Sequence, residues 1–245
     1  MSQALRKLAK AFLLTGDPLY RRGLRHGVAA AIEHEAILQF LSGNGVVDVV
    51  DVGANCGQFS LLCRHWLPES TIYAFEPLRQ PAERFGKLFA KDPHTRLIQA
   101  AIGAESAEVE MHVSRAMDSS SLLPIGPTQS AIFPGTEESH LERVRVAPLD
   151  AFVERGLLSV RSLLKIDVQG YELEVLRGCE RLLDRFSAVY VECSFVELYE
   201  GQALAHEVVD WLHERGFYMA RIGLVTFDQN GLSVQGDFLF LRQEG

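Results

Sequence analysis

Apolar positions along the chain follow two different periods. Near the start, Leu5, Leu8, Ala9, Phe12 and Leu13 recur at the three- and four-residue spacing of a helix. A second helical pattern covers 28–41 and is stopped by Ser42-Gly43-Asn44-Gly45. Beyond it the rhythm changes. Residues 46–52 form a largely apolar run, as expected of a strand buried on both faces. Further strands are predicted at 71–75, 96–101, 109–113, 144–147, 162–168, 188–193 and 217–222. Helices are predicted between them at 60–66, 81–90, 149–155, 172–183 and 203–215. Residues 114–142 break the alternation with a stretch rich in Ser, Pro and Gly. Long loops of this kind in compact domains are mostly functional or mobile. Toward the end, Asn230-Gly231 between two β-rich runs is a hairpin signal. Alternating strands and helices predict an α/β fold with a doubly wound, mostly parallel sheet and an antiparallel C-terminal strand. No internal repeat or linker interrupts it. The expected organisation is therefore one domain at 46–245 preceded by an N-terminal helical extension at 1–45.

The composition fits this picture, with 47% hydrophobic and 23% charged residues in 245, inside the range of ordinary globular proteins. The charge is uneven. Residues 1–26 carry six basic side chains against Asp17 alone, a local +5, so the remainder carries −13 of the net −8. An acidic body argues against nucleic acid as a partner, and the basic first helix reads as a solvated face. Cys56, Cys63, Cys179 and Cys193 form no CxxC pair and no zinc-ligand spacing with histidine, so buried thiols and no metal are expected. No run is long enough for a signal peptide or a stable membrane insertion, which predicts a cytoplasmic protein.

The most informative stretch is Val49-Val50-Asp51-Val52-Gly53-Ala54-Asn55-Cys56-Gly57-Gln58-Phe59-Ser60, a strand that ends in a glycine turn and feeds a helix. Such turns bring backbone close to a ligand. The dinucleotide pattern G-x-G-x-x-G is not met, because Asn55 stands where its second glycine belongs. A Rossmann-type NAD(P)-dependent oxidoreductase is therefore the weaker reading. Glu76 follows Asp51 by 25 residues, at the end of the second strand, where an acid can accept hydrogen bonds from ribose hydroxyls. Asp51, Glu76, Asp167 and Glu192 all fall at strand carboxyl ends, where a doubly wound sheet has its ligand crevice. Four acids on one edge suit a cationic ligand better than a polyphosphate.

At these residues the chain resembles the FkbM family of S-adenosylmethionine-dependent methyltransferases. The segments that carry the resemblance are VVDVGANCGQFS, YAFEP, QAAIG, SSSLL, PLD at 148–150, LLKIDVQGYELEVLRG and VYVEC, in the family's order over 46–193. The resemblance implies a class I methyltransferase (Rossmann-like) fold with strand order 3-2-1-4-5-7-6, and O-methylation of a sugar or small-molecule hydroxyl. It implies that Asp51, Gly53, Ala54, Asn55 and Gly57 line the methionine part of the cofactor. Glu76 would hold the ribose, with Pro77 and Leu78 beside it. Ala101 and Ile102 would border the adenine, Ser120 and Ser121 would close the site, and Asp167 would face the amino group or the reacting methyl. Gln169 stands where many relatives have glutamate.

An alcohol acceptor needs its proton removed, and a positioned base contributes ~10²–10⁴-fold. The candidates are Asp167 first, Glu192 second, and Glu172, which also suits a first helical turn without any ligand. Lys165 lies on the same strand face as Asp167 and is expected to pair with an acid. His140 is the one histidine in the irregular segment and reads as solvated. A non-catalytic cofactor-binding partner protein is the third reading. The acceptor's identity and the oligomeric state are not encoded in these motifs, and a homo-oligomer stays open.

Overall fold

The computed structural model describes residues 15–243. The basic amphipathic pattern at 5–13 lies outside the described residues. The chain opens with helix α1 (Pro18–Arg25), capped by Asp17, whose side chain accepts from the backbone of Leu19 and Tyr20. Helix α2 (Glu35–Gly43) is shorter than its apolar pattern, and a 3-10 turn (Ile32–His34) precedes it. The backbone at Ala31 is drawn away from helical bonding because its N–H donates to Gln58 O.

Strands β1 (Asp48–Val52), β2 (Thr71–Phe75) and β3 (Thr95–Ile98) alternate with helices α3 (Gln58–Trp66) and α4 (Arg79–Phe89). The expected strand 96–101 divides. Ala100 N–H turns back to Ile98 O, and Ala101 begins a separate strand, β4 (Ala101–Ile102). Strands β5 (Ala107–Ser114) and β6 (Glu138–Ala147) complete a small second sheet in the order β4-β6-β5. Residues 138–142, expected to be irregular, belong to β6. Their ribbon is exposed on both faces, so no apolar alternation marks it. Within the irregular stretch lies one short helix, α5 (Pro127–Ile132).

The main sheet resumes with β7 (Ser162–Ile166), β8 (Phe186–Ser194), β9 (Phe217–Phe227) and β10 (Ser233–Arg242), interleaved with α6 (Glu172–Gly178) and α7 (Ala205–Glu214). The predicted helix 172–183 stops at Gly178, where a Cβ would come within 2.4 Å of Gly103 O, and continues only as a 3-10 segment. The predicted helix 149–155 is two isolated 3-10 turns, Leu149–Ala151 and Arg155–Leu157, which follow Pro148 and span Gly156.

The order of the seven strands is β3-β2-β1-β7-β8-β10-β9. With the small sheet set aside, this is the expected 3-2-1-4-5-7-6. All pairs from β3 to β8 are parallel, and β10 is antiparallel to both neighbours. The chain runs outward from β1 in both directions, which opens a crevice at the carboxyl ends of β1 and β7.

Period-two alternation sorts the strand side chains between two cores. Val50, Val52, Leu164, Ile166, Val189 and Val191 pack under α6 and α7, with Leu176 and Leu212. Val49, Leu163, Tyr190 and Leu239 face the other way, against Leu38, Leu41, Phe59 and Phe85. Each large side chain buried in this way contributes ~1.5–3 kcal/mol. Asp51, Lys165 and Tyr190 are register partners across three strands on that second face. A polar row thus crosses an otherwise apolar layer. Among the described residues no helix is long and apolar enough to cross a membrane.

Candidate functional site

The turn after β1 lies across the end of β2, with the N–H groups of Gly53 and Ala54 both donating to Phe75 O, at 3.1 and 2.9 Å. Gly53 has φ +78°, and a Cβ there would stand 1.8 Å from Asp167 O. No other residue type permits both the left-handed backbone and this approach. Asn55 is also left-handed, at φ 47°, a conformation that asparagine tolerates better than most.

Glu76 is buried at the end of β2 and organises the turn from the far side. Its Oε2 accepts from Asn55 N–H at 2.9 Å and its Oε1 from Leu78 N–H at 2.8 Å. Burial pushes its carboxyl up to about 7, against the lowering effect of those two bonds. Each oxygen keeps one lone pair for a further donor.

At the end of β7, Lys165 Nζ lies 3.3 Å from Asp51 Oδ1, 3.7 Å from Asp167 Oδ2 and 3.3 Å from Gly53 O. Burial works against its charge, but the Asp51 and Asp167 carboxylates outweigh it and hold its pKa above the ordinary lysine range. Asp51 is fully buried and also accepts from Ser60 Oγ at 2.6 Å. The Asp167 side chain remains 42% exposed. Of the two acids on Lys165, only Asp167 can reach a ligand.

Gln169 sits behind Asp167 in a left-handed backbone, φ 57°. Its Nε2 donates to Asp167 Oδ1 at 2.8 Å and to Glu192 Oε2 at 2.9 Å, and its Oε1 accepts from Tyr199 O–H at 2.9 Å. An amide satisfies all three partners, whereas a carboxylate would face two others without a donor. Glu192 also accepts from Gln235 Nε2 at 2.6 Å. Burial, then the charges of Asp167 and Asp237, push Glu192 well above the carboxylate range. Glu172 is buried beneath this network and accepts from Gly170 N–H at 2.9 Å, and burial pushes it up to about 7.

These elements enclose a cavity of about 260 Å³, close to the lower end of the ~300–1,000 Å³ usual for small-molecule sites. Gly53, Ala54, Asn55, Glu76, Pro77 and Leu78 line it, as do Ala101, Ile102, Ser120 and Asp167. The other expected site residues stand behind this wall. Asp51 and Gly57 support the turn, and Ser121 donates to Gln169 O at 2.6 Å. Glu172 and Glu192 hold the floor under Gln169. His140 is exposed on β6. Met117, Asp118 and Leu122 of the irregular segment also line the cavity. Glu33, His34 and Phe59 are among the further lining residues that were not anticipated. No spacing rule places residue 34 above the sheet; the signal lies in tertiary packing. Among the described residues no cluster could hold a metal ion.

The chain is similar in sequence to known methyltransferases. Residues 51–219 match the family model described as the methyltransferase FkbM domain. The 2-O-methyltransferase NoeI of Sinorhizobium fredii is 26% identical over 202 residues, covering 79% of this chain and 82% of that protein. The hexuronic acid methyltransferase AglP of Haloferax volcanii is 26% identical over 146 residues, covering 58% of this chain and 54% of that protein. Among solved structures, M. capricolum TrmK in complex with S-adenosyl-homocysteine is 9% identical, with TM-score 0.48, over 85% of this chain and 68% of that chain. With the strand order, the glycine turn and its acids in place, and a family match over most of the chain, the protein belongs to the FkbM methyltransferases and uses S-adenosylmethionine.

Proposed function

We propose that the enzyme transfers a methyl group from S-adenosylmethionine to a hydroxyl of a sugar or sugar-like small molecule. The observation that carries this is the split character of the cavity: a buried acid, Glu76, at one end and a partly exposed acid, Asp167, at the other. Between them lie apolar walls at Phe75, Leu78, Ile102 and Val168. The bound cofactor supplies an activated methyl on a cationic sulfur. Glu76 takes the ribose hydroxyls on its remaining lone pairs. Leu78, Ala101 and Ile102 flank the adenine, and Asn55 and Ser120 close the near side. Asp167, held by Lys165 and Gln169, faces the cationic end, where its charge compensates what burial would otherwise make costly. The sugar class follows the hexuronic acid named for the Haloferax volcanii relative, and transfer to oxygen follows the 2-O-methyltransferase of Sinorhizobium fredii. An acidic chain and a narrow cavity favour a small acceptor over nucleic acid. The four buried free thiols support a cytoplasmic enzyme. In this reading 46–245 is the catalytic domain and 1–45 an N-terminal extension, of which the part from Tyr20 to Leu41 shares a core with it.

Methyl-labelled S-adenosylmethionine offered with a panel of methyl glycosides and hexuronic acids tests the proposal, read by mass and by the position of the new O-methyl carbon. Cofactor binding with no transfer to any hydroxyl would overturn it.

Two expected results follow from the cofactor end. Glu76→Ala weakens S-adenosylhomocysteine binding by ~1.5–3 kcal/mol, the range for a charge-assisted acceptor. Burial and the two backbone bonds make Glu76→Gln the gentler test. In the parent, affinity rises as pH increases through about 7, because the ribose hydroxyls bind the carboxylate and the free protein carries a proton below that value. The same raised pKa takes stability away between the ordinary 4.5 and about 7, since the folded form holds its proton longer. Calorimetric titration from pH 6 to 8 should show the slope in the parent and none in Glu76→Gln. A slope shared by both would remove Glu76 from the ribose site.

The second result concerns residues 115–137. Ser119 O is within 3.0 Å of Tyr199 O–H, and Ser121 is bonded to Gln169 O, so this segment is tied to the site. Amide hydrogen exchange there should slow when S-adenosylhomocysteine binds. Full and equal protection with and without ligand would contradict its role as a closing wall.

A further inference from the structure

We infer that Tyr199 is a positioning residue for methyl transfer. Through the Gln169 amide it holds Asp167 toward the cavity, and it ties that hold to the segment that closes the site. The inference rests on the reading above, in which Asp167 faces the cationic end of the cofactor.

Tyr199 lies beyond β8, outside every motif that marks the cofactor site. Its backbone pairs with Ile125 of the closing segment, and its N–H donates to Gln202 Oε1 at 2.7 Å. The ring is fully buried and packs with Leu198, Val234, Leu123 and Phe133. It also lies against Gly170, where the left-handed backbone (φ +99°) would place a Cβ 3.1 Å from Tyr199 Cδ2. A phenylalanine would fill this apolar space equally well. The hydroxyl is what distinguishes tyrosine here, and a buried hydroxyl is costly unless it is bonded.

Its partners are Gln169 Oε1 at 2.9 Å and Ser119 O at 3.0 Å. Both are carbonyl oxygens, which can only accept. Burial, then the charge of Glu192, push the phenol above its ordinary range, so it keeps its one hydrogen. That hydrogen is shared between the Gln169 amide and the backbone of the closing segment. Gln169 has both Nε2 hydrogens committed, to Asp167 Oδ1 and to Glu192 Oε2. With Oε1 pinned by Tyr199, the amide cannot turn over and set its oxygen against those carboxyls. The main chain of Gln169 is left-handed, φ 57°, and is fixed separately by Ser121 Oγ, which donates to Gln169 O at 2.6 Å. Ser119, Tyr199, Gln169 and Ser121 thus close a ring of contacts between the wall and the residue that steadies Asp167. Asp167 needs such a hold, because its side chain is partly exposed and Lys165 lies closer to Asp51 than to it. Without the amide the carboxylate can turn toward water and away from the cavity.

The test compares the affinities of the full chain for S-adenosylmethionine and S-adenosylhomocysteine, which differ by the methyl and its positive charge. A loosened structure weakens both alike, whereas a displaced Asp167 weakens the sulfonium more. By calorimetry, Tyr199→Phe should lower the ratio of the two association constants by about three- to tenfold, the worth of one net hydrogen bond. Gln169→Leu should lower it at least as much. Tyr199→Phe added to Gln169→Leu should change it no further, because the tyrosine acts through the amide. Where a hydroxyl acceptor is methylated, kcat should fall in Tyr199→Phe while KM for the acceptor stays within about twofold. A ratio within about twofold of the parent in Tyr199→Phe, or a further drop in the double variant, overturns the inference. Asp167→Asn sets the scale. A parent-like ratio there removes Asp167 from the sulfonium and takes the reading above with it; a lowered ratio there beside an unchanged one in Tyr199→Phe removes Tyr199 alone. Should Tyr199→Phe fail to fold, Gln169→Leu decides. It should lower the ratio and also speed amide exchange in the closing segment, and a parent-like value of either overturns the inference.

Discussion

Asp167→Asn lowers kcat/KM for methyl transfer by about 10²-fold or more and leaves the thermal midpoint nearly unchanged. The two halves of this expectation come from different neighbours. Lys165 keeps its shorter contact, 3.3 Å to Asp51, when the charge at 167 is removed. Asparagine still offers Oδ1 to the Gln169 amide, so the packing and its hydrogen bonds survive. The negative charge at the cationic end of the cavity does not survive. That charge also pushes the Glu192 and Asp237 carboxyls upward from the ordinary range, in each case after burial. Its loss therefore lets both carboxyls fall back toward that range. Steady-state kinetics with a methylated acceptor, beside calorimetric binding of S-adenosylmethionine and S-adenosylhomocysteine, separate the contributions. A sulfonium partner should lose more affinity than the neutral sulfide. Near-normal turnover in the asparagine variant would make Asp167 a structural partner of Lys165.

The central sheet was legible because parallel strands buried on both faces read as apolar runs, and β1, β2, β7 and β8 all do so. This part of the cavity lining was legible for the same reason, since Gly53, Glu76 and Asp167 stand where those runs end. The wall that includes His34 was not. Tyr190 and Asp237 meet because β10 enters the sheet between β8 and β9, with Glu192 opposite Asp237 in the register. A hairpin signal at Asn230-Gly231 predicts the turn but not which of its strands is internal. His34 joins them through the packing of the chain before β1, and no periodicity encodes that. Residues 138–142 were misread because an exposed ribbon carries no hydrophobic alternation to read. Glu172 and Glu192, promising as acids in sequence, stand as the satisfied floor beneath Gln169.

Gly53→Ala should be the most damaging single methyl group in the protein. Two effects coincide at this position and a control separates them. The left-handed backbone at φ +78° costs an alanine ~1–2 kcal/mol. The added Cβ would also lie 1.8 Å from Asp167 O and 3.3 Å from a Val168 methyl. The first of these contacts is with backbone, which cannot rotate away as a side chain could. The turn must move, and the Gly53 and Ala54 bonds to Phe75 O move with it, along with the Asn55 bond to Glu76. Overpacking of this kind adds ~1–3 kcal/mol, so the total loss of stability should reach ~3 kcal/mol. Gly201 has nearly the same backbone, φ +76°, with nothing within 4 Å of its Cβ position. Gly201→Ala should therefore show the backbone cost alone, ~1–2 kcal/mol, and bind S-adenosylhomocysteine normally. In Gly53→Ala that affinity should fall by about tenfold or more, since the displaced turn carries Asn55 and its hold on Glu76. Urea denaturation and calorimetric titration of both variants decide the matter. Equal losses at the two glycines would mean that the close approach to Asp167 contributes nothing, and would detach the turn from the cofactor site.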